Sequence, residues 1–144
     1  QNRIHRVADL TQSKTQTAEI KKITSDLYSG LDAILHKLEL IAAYTQRANK
    51  LMLVKASDFG VKEAKKMIRI RNVEGYCAKA KIIQQNIAKN LEVLKEKGYK
   101  DSLGTELEQM TQKVYDLNLL QEQKTSERKQ LGADNNAEIN LFWK

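Results

Sequence analysis

Residues 20–48 read IKKITSDLYSGLDAILHKLELIAAYTQRA, and no proline occurs in this stretch or anywhere else in the 144-residue chain. Ile20, Leu27, Ile34, Ile41 and Ala48 recur at every seventh residue, and Thr24, Leu31, Leu38 and Thr45 form a second series between them. Interleaved steps of four and three residues place both series on one side of a helix, as a seam suited to packing against partner helices. The fold class expected from this seam is all-α: an elongated bundle of three to five helices with a long, coiled-coil-like first helix.

Outward from the seam, Ser13 and Gln16 read as a capping box, in which hydroxyl and amide satisfy backbone donors at a helix start. The first helix is then expected from about Lys14 to about Lys55. Gly30 lies inside it at a cost of about 1 kcal/mol relative to alanine. Ser57-Asp58-Phe59-Gly60 reads as the following turn. Residues 61–73 are again helical, with Val61, Ala64, Met67 and Ile68 on one side. Tyr76, Ala80, Ile83, Ile87, Leu91 and Leu94 also align with one another, but on the side that Lys62, Lys66 and Arg69 occupied earlier. At 100° per residue the apolar face rotates near Asn72–Gly75, so a kink or break is expected there.

Gly98 should end that helix, with a loop over residues 99–104. Thr105 and Glu108 form a further capping box, opening a helix to about Leu131 whose seam is Leu103, Leu107, Met110, Val114, Leu117 and Gln121. Residues 132–136 read as a loop. The chain is expected to form a single domain, 1–144, with an N-terminal arm at 1–12 and a C-terminal tail at 132–144.

The composition bounds the function. Hydrophobic residues make up 41% and charged residues 30%, the profile of a packed helical domain. No apolar run is long enough to span a bilayer. Cys77 is the single cysteine, and with His5 and His36 it makes too small a donor set for a structural zinc site. There is no glycine-rich phosphate loop, paired-cysteine motif or nucleophile elbow, so neither enzymatic activity nor a cofactor or metal is expected. His36 projects away from the seam and reads as a surface residue. Glu106 and Glu108 sit at a helix start, where the dipole favours carboxylates. The chain starts at Gln1, which is compatible with signal-peptide removal, and export to the periplasm or beyond is the expectation drawn from it.

Net charge is +7, and residues 61–100 alone carry eleven basic against four acidic side chains. Lys62, Lys65, Lys66 and Arg69 fall within about 100° on one helix face. Such a stripe is either a solvated face neutralised by the acidic helix at 105–131 or a surface for an anionic partner. No aromatics interleave with it, which weighs against nucleic acid. Phe142 and Trp143 in the tail read as either a lid on the bundle or an anchor for a partner.

The functional expectation is a non-enzymatic structural or protein–protein interaction bundle. In gross design it resembles small exported helical subunits of cell-envelope, secretion or conjugation assemblies. Its expected partner is another protein, an acidic one among the candidates, or a second copy of itself through helical surfaces. The alternative is a module binding nucleic acid or another polyanion through the 62–81 face.

Overall fold

A computed structural model describes the backbone of residues 2–143 and the side chains of residues 14–130. It is all-helical, with no strand among the described residues. The helices are α1 (Asn2–Ala48), α2 (Val61–Arg69), α3 (Val73–Lys89), α4 (Leu91–Glu96) and α5 (Asp101–Trp143), with one turn of 3-10 helix at Ala56–Asp58. The expected arm at 1–12 and tail at 132–144 fall within the bounds of α1 and α5, and their side chains lie outside the described residues. The chain divides into two compact units, residues 28–116 and residues 1–27 with 117–144.

The 28–116 unit holds the core. Leu31, Ile34, Leu38 and Ile41 of the α1 seam are at most 1% exposed, alongside Phe59, Ile68, Tyr76, Ile83, Leu107 and Val114. Fully burying a leucine or isoleucine is worth about 1.5–3 kcal/mol, so this aliphatic layer is the main source of stability. Within the unit α1 and α5 run antiparallel: Lys37 Nζ meets Glu106 Oε2 at 2.6 Å, while Gly30 faces Val114 farther along. From α3, Tyr76 shares a 2.8 Å hydroxyl hydrogen bond with Thr111, and the Gln84 amide donates to the Gly104 carbonyl at 3.1 Å.

The rotation of the apolar face near residue 72 is a true break. Helix α2 stops at Arg69, and α3 begins at Val73 with Asn72 as its cap, the Asn72 Oδ1 accepting from Gly75 N–H at 2.9 Å. The stop is a Schellman motif: Asn72 N–H donates to Met67 O and Arg71 N–H to Ile68 O. Its left-handed position, usually glycine, is Arg71 at φ 59°. The same pair of bonds recurs after α4, from Tyr99 N–H to Leu94 O and from Gly98 N–H to Lys95 O, with Gly98 at φ 97°. Gly98 therefore ends α4, but the single helix expected to carry Tyr76 through Leu94 is broken at Asn90 into α3 and α4.

Further boundaries differ from expectation: α1 begins at Asn2, so Ser13 lies inside it rather than at its start, and α5 runs through residues 132–136, where a loop was expected. Helix α1 ends at Ala48 rather than near Lys55, because Asn49 Oδ1 accepts from Ala56 N–H at 2.8 Å and Asn90 Oδ1 accepts from Leu53 N–H at 2.7 Å. Those side-chain acceptors draw the 49–56 backbone out of the helical ladder. Helix α5 begins at Asp101, not Thr105. Gly98 turns the chain early, Tyr99 is buried, and Asp101 meets Lys95 at 3.0 Å. Thr105 is thus an interior residue whose hydroxyl donates to the Asp101 carbonyl.

In the other unit, residues 14–27 and 117–130 form an antiparallel pair of helical segments. Gln121 Nε2 donates to Thr24 Oγ1 at 2.6 Å, and Lys124 Nζ lies 3.5 Å from Glu19 Oε2. Position 24 faces 121 while 19 faces 124, which fixes the antiparallel sense.

Candidate functional site

The amphipathic pattern of α2 decides which of its cations face solvent. Val61, Ala64 and Ile68 are buried, so Lys62, Lys66 and Arg69, on the opposite side within about 60° of one another, are exposed. Gly60, at φ 108°, allows the sharp entry that sets this rotation, with its backbone close to Ile83.

The basic stripe is divided by its contacts. Lys65 is half-buried, with Nζ 3.9 Å from Glu39 Oε1. Arg71, past the end of α2, donates from Nη1 to Asp32 Oδ1 at 3.0 Å, and its guanidinium lies 4.5 Å above the centre of the Tyr28 ring. Both acidic partners belong to α1. The expectation that the 105–131 helix neutralises the stripe is therefore corrected: Glu106 of that helix is engaged by Lys37 instead. Among the described residues, Lys62, Lys66 and Arg69 form no ion pair, and Ile70 beside them is 60% exposed. The site that remains is three outward cations with one exposed aliphatic side chain at the end of the row.

The other candidates sit elsewhere. His36 is exposed on α1, 4.0 Å from Glu39. Cys77 is half-buried, and burial pushes its thiol up, with Lys81 pulling the other way and Glu74 adding to the rise. Burial thus favours the protonated thiol over the reactive thiolate. Burial pushes the Tyr76 phenol up to about 12, opposed in part by its hydrogen bond to Thr111. Among the described residues no group of three His, Cys, Asp or Glu side chains is placed to hold a metal ion. Phe142 and Trp143 lie outside the described side chains.

Two features were not anticipated from the sequence. Arg71 locks a helix stop, and Asn86 and Asn90 are buried on the apolar side of α3. The asparagines carried a readable signal, since they share the face of Ile83, Ile87 and Leu94, where a polar side chain must bond to something. Arg71 carried none, because only the folded chain brings Asp32 and Tyr28 to it. Comparison with protein-family models, curated proteins and solved structures found no match to this chain.

Proposed function

We propose that the protein is a non-enzymatic helical interaction module that captures an acidic protein partner through the outer face of α2. One observation carries this reading. The fold engages Lys65 and Arg71 with acids on α1, yet leaves Lys62, Lys66 and Arg69 unpaired among the described residues. Three aligned cations raise the local potential, speed encounter with an acidic surface and favour its orientation. Ile70, 60% exposed at the end of the row, supplies an apolar contact beside them. Such a module fits an exported assembly subunit of the kind named above.

The test replaces Lys62, Lys66 and Arg69 together by glutamine. These residues are exposed, so the melting temperature should stay within a few degrees of the parent. A photo-crosslinker at position 66 should capture partner with a yield that falls as salt rises, and adding glutamine at Lys62 and Arg69 beside it should abolish capture. A crosslinker at Gln109, exposed on α5, serves as control. Equal yields at positions 66 and 109 would sink the proposal. The alternative, a polyanion-binding module, rests on the same cations. It would show itself as tight binding to duplex DNA or heparin with a steep linear fall in log affinity against log salt.

A further inference from the structure

Between α1 and α2 the chain displays Leu53, 81% exposed, and Leu51, 57% exposed, while Phe59 a few residues later is fully buried. The loop backbone at Leu53 and Phe59 is held by a network of buried asparagines. Leu53 N–H donates to Asn90 Oδ1 at 2.7 Å, the Asn90 amide donates to Asn86 O at 2.8 Å, and the Asn86 amide donates to Phe59 O at 2.8 Å. Asn90 is 3% and Asn86 7% exposed. Burying amides is costly unless they are bonded, and here their bonds run to the loop backbone at residues 53 and 59. The loop is thus tied to α3 at both points, and among the side chains it presents to water are the aliphatic Leu51 and Leu53.

Cations surround this loop. Lys50 and Lys55 bracket it in sequence, and Lys89 precedes the Asn90 that holds it; all three are exposed. The edge-to-face contact of Tyr44 with Tyr99, centroids 6.0 Å apart, brings the 97–100 turn with Lys97 and Lys100 to the same end of α1. The acids on these segments are Asp58, Glu92, Glu96 and Asp101, the last already paired with Lys95.

We propose that this end of the 28–116 unit docks on an anionic lipid surface, with Leu51 and Leu53 entering the interface and the surrounding lysines meeting acidic headgroups. The basic surround favours an anionic partner for the projecting aliphatic pair. A bilayer interface takes up such side chains without a matching pocket, and combining apolar insertion with basic residues gives the two signals that stable peripheral attachment requires. Leucines offer no stacking to nucleic acid bases. The proposal is independent of the α2 face and uses different residues.

The test is sedimentation of the full chain with vesicles of phosphatidylcholine alone and of phosphatidylcholine mixed with phosphatidylglycerol. The expected result is pelleting with the anionic vesicles only, reversed by salt. Leu51→Ser and Leu53→Ser should each weaken it about tenfold, with the melting temperature unchanged. The Lys62, Lys66 and Arg69 replacement should leave it intact. In a Trp143→Phe background, Leu53→Trp should show a blue-shifted emission on binding anionic vesicles. The proposal is overturned by absent pelleting, by the leucine double variant pelleting like the parent, or by an unshifted emission. Leucine-dependent dimerisation without vesicles would also overturn it, because the loop would then be covered by a second copy.

Discussion

A methyl group placed on Gly30 would stand 2.8 Å from Val114 Cγ1. At this point the hydrogen side chain of α1 lets the β-branched residue of α5 come close, and Val114 is fully buried there. The glycine that looks like a flaw in a long helix is therefore a packing requirement. Gly30→Ala should lose stability by about 1–3 kcal/mol through overpacking, despite the gain of about 1 kcal/mol in helix propensity. Adding Val114→Ala should recover part of that loss. Urea denaturation of the two single variants and the double variant checks it. Additive effects would show that the two residues do not share the contact.

Arg71 occupies a left-handed backbone position at φ 59°, which a side chain adopts at a cost of about 1 kcal/mol. Its contacts to Asp32 and Tyr28 offset that cost, each worth about 0.5–1 kcal/mol for groups this exposed. Arg71→Gly, which relieves the backbone while losing the contacts, should therefore be close to neutral. Arg71→Ala keeps the strain and loses the contacts, so it should melt lower than either. A ranking with alanine above glycine would contradict this account.

Burial raises the Tyr76 phenol from its ordinary 10.0 to about 12. The folded state favours the neutral phenol, so its contribution is fully present below pH 10 and is lost as pH rises towards 12. The loss should reach about 3 kcal/mol across that interval, at 1.36 kcal/mol per pKa unit. Tyr99 shifts in the same direction, through burial first and the Asp101 charge second. Chemical denaturation at a series of alkaline pH values should show a decline that is shallower in Tyr76→Phe, with the Tyr99 share remaining.

Cys77 should react slowly with thiol reagents at neutral pH, because burial raises its thiol above the ordinary value and the side chain is half-covered. Its modification rate in the native protein should fall well below that of the chain in denaturant. Equal rates would show an accessible, activated thiol.

The core was readable because burial imposes a period. Leu27, Leu31, Ile34, Leu38 and Ile41 announce one face, and all are buried. The same reasoning located the α2–α3 break, since one straight helix cannot bury two faces against one neighbour. The end of α1 was not readable, because the acceptor that draws Leu53 out of the helix sits on Asn90, far along the chain. The outward direction of Lys62, Lys66 and Arg69 followed from amphipathicity. Which cations would be neutralised did not, because that depends on α1 supplying Asp32 and Glu39.

The asparagine pair on α3 also limits how many ways the sequence can be assembled. An aliphatic seam tolerates a shift of one helical turn, since one leucine fills the space of another. Asn86 and Asn90 tolerate none, because each amide is matched to a single carbonyl or N–H and any displacement strands it in apolar surroundings. The pair thus fixes alignment as well as pairing backbone groups of the loop. Leucine at both positions leaves the Leu53 N–H and the Phe59 carbonyl without partners, so it should lower the melting temperature and also blur the amide spectrum of residues 49–59, a chain less stable than before and no longer singular.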